Sequence, residues 1–316
     1  MTQSRIAAVI IGRNEGERLL ACLASTTDIP DRIYVDSGST DGSVAAARDA
    51  GAHVVELDLA TPFTAARARN AGVAALKAEA DYIQFIDGDC ALAEGWLDKA
   101  VAALDADPGL AVVCGRRRER FPEATLYNAI CDREWNTPVG EAKACGGDAL
   151  MRLSAFQAVG GFRGGMIAGE EPELCFRLRR AGWRIQRIDA DMTLHDAAMT
   201  RFGQWWRRAQ RAGHAYAEGA WLHGASSERY NLQPIMRALA WSAMGPLAIL
   251  ATLAGFGPAL IASLVYPAQI ARLWRRYGDW RIAALGVLDK FAHTHGALQF
   301  LVRRIGKGSG GIIEYK

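Results

Sequence analysis

The stretch YIQFIDGDCAL, residues 82–92, runs apolar and β-prone at first and then sets two carboxylates, Asp87 and Asp89, around a glycine. Asp and Gly also make ordinary turns, so D-x-D alone is a weak signal. Two like charges one residue apart repel, however, and the pair is stable when a divalent cation or hydrogen-bond donors offset the repulsion. Oxygen ligands that leave room for water and phosphate oxygens suit Mg2+ or Mn2+. The end of this strand is therefore either a turn or a cation site.

Working outward, the surrounding sequence alternates strand and helix. IAAVIIG (6–12) reads as a strand and EGERLLACLAST (15–26) as an amphipathic helix. RIYVDSGSTDGS (32–43) is a short strand closed by a turn, and SVAAARDAG is a helix with glycine near its end. AHVVELD, YIQFID and LAVVCGR supply further strands, separated by FTAARARNAGVAALKAEA and EGWLDKAVAALDADPG as helices. Strands that are apolar throughout and alternate with helices predict an α/β fold with a mostly parallel sheet flanked by helices. Ligands of such sheets bind beyond the carboxyl ends of the strands. Asp36, Asp87 and Asp89 all fall at such ends, and Glu15 follows the first strand, where it also suits the N-terminal charge of a helix. VDSGSTDGS is not a calcium loop: counted from Asp36, the sixth position is Asp41 instead of glycine and the twelfth is Ala47 instead of Glu.

The last third has a different character. No charged residue occurs between Arg237 and Arg272, and two apolar stretches, about 238–255 and 258–274, are split by GFGP. Each is near the lower limit for spanning a bilayer. Arginines at the outer ends and none at the split fit a C-terminal apolar helical hairpin with both ends on one side, and Trp241 and Trp274 suit the interface. The competing reading is a helical hairpin buried in a soluble bundle or dimer. The expected division is 1–230 for the sheet-bearing domain and 231–316 for the membrane-associated region, with GKGSGG (306–311) as a flexible link.

Charge supports this division. Residues 1–200 hold 22 Lys/Arg against 29 Asp/Glu, and residues 201–316 hold 15 against 5. A basic tail suits phosphate, whether of a nucleotide or of a lipid headgroup; no nucleic-acid partner is expected. Six scattered cysteines without a C-x-x-C pair argue against a disulfide framework or a zinc motif and fit a reducing compartment. The N-terminus reads as a strand and not as a signal peptide. These features place the body at the cytoplasmic face of the cell (inner) membrane.

Six motifs in order, VIIGRNEGERL, VDSGSTDGS, ARARNAG, FIDGDC, CGGDALMRLSAFQAVGGF and GEEPELCFRLRRAGW, cover about residues 5–215. Together they resemble the family 2 glycosyltransferases, which have the nucleotide-diphospho-sugar transferase (GT-A) fold. By this resemblance Asp36 and Asp87 would hold the nucleoside, and Asp89 would ligate a divalent metal bridging the donor diphosphate. Glu170 and Glu171 match the catalytic pair, with Glu171 as base; the family usually has Glu-Asp there, and in this chain Pro172 follows. His195 sits where many relatives carry a second metal ligand, against the alternative of a histidine bonded within the fold. Asp148 in GGD would contact the sugar or serve a turn. Arg207, Arg208 and Arg211 are spaced to share a helix face and would clamp diphosphate or face anionic lipid. Arg69-Asn70 reads as structural, setting a helix against the sheet.

The resemblance implies a nucleotide-diphosphate sugar donor, an inverting transfer, and a lipid-linked or polysaccharide acceptor, with residues 238–274 at the membrane surface. Two other readings remain in view. A sugar-1-phosphate nucleotidyltransferase would need a glycine-rich, basic loop after the first strand, and GRNEGERL, with its two glutamates, is no such loop. A catalytically inactive membrane scaffold could keep the same fold. A NAD dehydrogenase lacks its G-x-G-x-x-G at that place.

Overall fold

The structure, a computed structural model, describes residues 4–306; the glycine-rich link lies, from residue 307 on, outside the described residues. The chain divides into two units, Met1–Ala198 and Met199–Lys316.

The first unit runs β1 (Ile6–Gly12), α1 (Glu17–Ser25), β2 (Asp31–Asp36), α2 (Ser43–Asp49), β3 (His53–Glu56), α3 (Ala65–Ala74) and β4 (Tyr82–Asp87). Then follow β5 (Cys90–Leu92), α4 (Trp96–Ala106), β6 (Leu110–Glu119), α5 (Leu126–Trp135), β7 (Gly140–Glu141) and β8 (Ala149–Arg152). The unit closes with α6 (Leu153–Ala158), α7 (Glu170–Arg180) and β9 (Arg184–His195). One sheet has the order β3-β2-β1-β4-β8-β6-β9-β5, with β7 also paired to β9. The strands β3, β2, β1 and β4 are parallel, β8 is antiparallel to both β4 and β6, and β9 is parallel to β6. The expected mostly parallel sheet is thus present, with antiparallel β8 in its middle.

The period of two along the strands explains why helices cover both faces. Val9, Ile11, Ile33, Val35 and Phe85 enter one core cluster, together with residues of α3, α4 and α7. Ile10, Tyr34 and Ile86 point the other way, into a second cluster with Leu19, Cys22 and Ala47 of α1 and α2. On the first face Phe85 meets the rings of Phe156 and Phe162 at 5.5 and 5.3 Å between centroids. Fully burying one such ring stabilises by about 1.5–3 kcal/mol. This two-sided core fixes the sheet, so the ends of β1, β2 and β4 present Glu15, Asp36 and Asp87 at one edge.

The second unit holds α8 (Phe202–His223), α9 (Leu232–Leu253), a 3-10 helix (Gly257–Leu264), α10 (Val265–Tyr277) and α11 (Trp280–Ile305). It begins about 30 residues before the boundary at 230 suggested by composition, because α8 packs along α11. The two backbones approach closely: a Cβ on Gly213 would lie 2.0 Å from the His293 carbonyl oxygen, and one on Gly296 would lie 1.8 Å from that of Gln210.

The expected pair of apolar helices is corrected in its second arm. Among the described residues one helix, α9, is long and apolar enough to cross a membrane. After Gly255 the second stretch forms the 3-10 helix and then the 13-residue α10, which is shorter than the roughly 20 residues a span requires. Pro258 opens the 3-10 segment, and Arg272, Arg275 and Arg276 give α10 a charged side. Within α9, Pro246 cannot continue the helical ladder. The Tyr266 hydroxyl fills the gap, accepting from Gly245 N–H at 2.9 Å and donating to Trp241 C=O at 2.6 Å.

Candidate active site

Four pieces of the first unit converge beyond the end of β4: the Asp87-Gly88-Asp89 turn, the Cys145–Asp148 loop before β8, the N-terminus of α7 and the end of β9. Arg69, from α3, is 3% exposed and joins two of them, with Nη2 2.7 Å from Asp87 Oδ1 and Nη1 2.7 Å from Glu170 Oε1. Asp148 is fully buried; its Oδ1 accepts from the Asp87 backbone N–H at 3.0 Å and its Oδ2 from the Thr193 hydroxyl at 3.0 Å. Arg117 Nη2 lies 2.8 Å from Asp148 Oδ2. Charges brought this far out of water persist only when paired and hydrogen-bonded, and alternating carboxylates and guanidinium groups meet that condition.

Gly147 shows why GGD is needed here. Its φ is +98°, and a Cβ would stand 3.4 Å from both the Arg69 and Arg117 guanidinium groups and 3.8 Å from Asp87 Oδ2. The bare backbone lets the loop lie against the cluster. Asp148 is thereby a buried tie between β4, β6 and β9, not a free acceptor over a pocket.

Asp89 immediately precedes β5, and His195 ends β9 opposite Cys90 on the β5–β9 ladder, which brings the two side chains together. Asp89 Oδ2 is 3.2 Å from His195 Nε2, and both side chains are nearly buried. Among the described residues His195 Nδ1 has no hydrogen-bond partner, and it lies 3.8 Å from Glu119 Oε2. The Trp135 indole and the imidazole stand nearly perpendicular at 4.6 Å between centroids, and Arg117 stacks on the same indole at 5.5 Å. A carboxylate oxygen and an imidazole nitrogen side by side are a fitting donor pair for a divalent ion. With Nδ1–H turned toward the Glu119 carboxylate, Nε2 would keep its lone pair for a metal.

Glu170 and Glu171, the first two residues of α7, diverge. Glu170 is bound to Arg69, whereas Glu171 Oε1 accepts from neutral donors only: the Cys145 backbone N–H at 2.6 Å and the Cys145 and Cys175 thiols at 3.0 Å each. Glu15 Oε2 pairs with Arg18 at 2.8 Å, and its Cγ lies next to Gly12 and Gly88, so it sits between the ends of β1 and β4. Asp36, expected at the crevice, ends β2; its Oδ2 accepts from Gly38 and Ser39 N–H at 2.9 and 2.8 Å, and its Oδ1 from the Tyr34 hydroxyl at 3.1 Å. Its carboxylate therefore closes its own turn. Arg207, Arg208 and Arg211 lie on α8 in the second unit, with Arg207 exposed and the other two half-buried.

Sequence reasoning missed Arg117, Glu119, Trp135 and the two cysteines, and took Arg69 as structural. One signal was available: RRRE continues the apolar run LAVVCG, so the strand carries Glu119 into the sheet at its end; Arg116 and Glu119 are buried, Arg117 is half-buried and Arg118 is exposed.

Residues 7–157, within the sheet-bearing unit, match the model of glycosyl transferase family 2. The chain is 30% identical over 206 residues to the succinoglycan biosynthesis protein ExoA of Rhizobium meliloti, covering 60% of this chain and 62% of that protein. It is also 30% identical over 142 residues to the pre-mycofactocin glycosyltransferase of Mycobacterium tuberculosis, covering 42% of this chain and 30% of that protein. The chain thus spans less than two thirds of either relative. Among solved structures, a mannosyltransferase from Pyrobaculum calidifontis in complex with GDP-Man and Mn2+ shares the fold, with a TM-score of 0.65 at 22% identity, covering 94% of this chain and 88% of that one. The fold is of the GT-A type.

Proposed function

We propose that the protein is a metal-dependent, inverting glycosyltransferase that moves a sugar from a nucleotide-diphosphate donor to an acceptor hydroxyl. The observation that carries this reading is the gathering of Asp87, Asp89, Glu170, Glu171 and His195 at one end of the sheet. Asp89 and His195 would hold Mg2+ or Mn2+, and the likeness to a structure containing GDP-Man and Mn2+ supports that choice. The ion would offset the charge that grows on the departing nucleoside diphosphate. Asp87, half exposed at the turn, would bind the nucleoside while Arg69 fixes its carboxylate. Asp36 and Glu15 would shape the floor beside it.

Glu171 serves as the base in this reading. Glu170 is held in an ion pair with Arg69, whereas the partners of Glu171 are uncharged, so Glu171 is the acid of the pair not committed to a cation. Glu171 would take the hydroxyl proton as the acceptor oxygen attacks the anomeric carbon. Attack opposite the departing diphosphate inverts that carbon, through an oxocarbenium-like state. The acceptor would be lipid-linked or a growing polysaccharide at the cytoplasmic face of the membrane, a reading supported by α9 and by the name of the succinoglycan relative.

The test is sugar transfer, or donor hydrolysis, by the full-length protein with Mn2+. Glu171→Gln should lower kcat by about 10²–10⁴-fold, the usual worth of a general base, and Asp89→Ala should abolish metal-dependent turnover. Wild-type rates in both variants would overturn this assignment of base and metal ligand, and no turnover by the wild-type protein would leave the fold as an inactive scaffold.

A further inference from the structure

The side chains of Cys145, Glu171 and Cys175 meet in the core of the first unit, and only Glu171 has a place in the proposed chemistry. The two sulfurs are 3.8 Å apart, each is 3.0 Å from Glu171 Oε1, and all three residues are buried. Neither cysteine is in a disulfide. With Zn–S bonds of about 2.3 Å, two sulfurs on a tetrahedral ion stand about 3.8 Å apart. The observed sulfur pair already has that spacing, and the carboxylate would retreat by about half an ångström to take its own corner.

We propose that Cys145, Cys175 and Glu171 form a binding site for a thiophilic divalent cation of the zinc class, separate from the Asp89–His195 pair. Soft thiolate donors select such ions, whereas oxygen-rich sites select Mg2+ and Mn2+. Two thiol protons leave to solvent as two metal–sulfur bonds form; the carboxylate exchanges its thiol hydrogen bonds for the third bond, and water takes the fourth position. Burial pushes the Cys145 thiol up to about 11 and holds the Cys175 thiol well above its ordinary value. Both are therefore neutral at rest, and affinity rises with pH. Occupancy would also tie up Glu171 and stop sugar transfer; that consequence, unlike the site itself, rests on Glu171 being the base.

The experiment is a Co2+ titration of the reduced, metal-stripped full-length protein with Mg2+ in excess, followed by absorption. The expected result is a thiolate-to-cobalt charge-transfer band that saturates at one ion per chain, is displaced by Zn2+ and is accompanied by release of two protons. Cys145→Ser and Cys175→Ser should each weaken the band, and the double variant should lose it. Cys90→Ser, which alters the thiol next to Asp89, should keep it. Absence of the band in wild-type protein overturns the proposal without recourse to any variant. So does a band that survives the double variant and disappears in Cys90→Ser. Because the readout is spectroscopic, it stands whether or not the chain transfers sugar.

Discussion

Arg69 occupies a position that its sequence context, an alanine-rich helix, disguises. Its guanidinium bonds Asp87 and Glu170, residues 18 and 101 positions away, with planar geometry that lets one side chain serve two carboxylates. Arg69→Lys keeps the charge but reaches one partner at a time. Arg69→Met leaves both carboxylates in the cluster without their cation, which should cost about 3–5 kcal/mol. Thermal unfolding should rank wild type above Arg69→Lys and Arg69→Lys above Arg69→Met, and donor affinity should fall in the same order. At this scale the sequence disclosed the acids of FIDGDC and GEEPE but not the groups that neutralise them. A carboxylate at a strand end is visible from local pattern, whereas its partner arrives through the fold. Asp36 shows the reverse case, since the turn chemistry that makes its motif recognisable also occupies both its oxygens.

The elements of the first half follow closely from hydrophobic periodicity. β1 spans 6–12 as read, β4 and α4 fall within their expected stretches, and β2 begins one residue before its own. The strands β5, β7, β8 and β9 were not legible, being short or charged and stabilised by ladders to distant segments. The second apolar arm was overread as one long helix because composition marks the split at GFGP but not that the arm beyond it divides into a 3-10 segment, Gly257–Leu264, and the 13-residue α10. In α9, the Tyr266 hydroxyl repairs the turn that Pro246 interrupts. Tyr266→Phe should leave the Gly245 N–H and the Trp241 C=O without that partner and destabilise the second unit by about 1–3 kcal/mol, measurable by denaturant unfolding with little loss of helical circular dichroism.

At the scale of the whole molecule, pH and membrane partition report mainly on the second unit. Burial, followed by Arg303 and Arg211, pushes the His214 pKa down to about 4, although Glu218 lies 3.7 Å away. Burial, Lys290 and Arg208 hold His293 at about 3. The unfolded chain protonates these histidines first, so their contribution is complete above the ordinary histidine pKa and is lost as pH falls from about 6.5 toward 4. The loss should approach about 1.4 kcal/mol per pH unit for the deeply buried His214. Tm measured from pH 7.5 down to 5 should fall, and His214→Gln should flatten the profile. Leu247, Ile249, Leu250 and Leu253 are all exposed on α9. Full-length protein should accordingly sediment with membranes and resist extraction by salt, while Leu247→Glu with Leu250→Glu should move it to the soluble fraction. Retention of that variant in membranes would count against α9 as the attachment.

The sequence alone determined the alternation of strands and helices, the two-sided core and the acidic strand ends, because each is a local pattern of polarity and turn chemistry. It also set apart the uncharged stretch and basic surroundings of the last third. Tertiary structure alone decided that Arg69 and Arg117 neutralise the acid cluster, that Glu170 and Glu171 face a guanidinium and a thiol pair respectively, and that α8 belongs with α11. Each of these depends on residues far apart in the chain meeting in space, and local pattern carries no record of which partner packing will deliver.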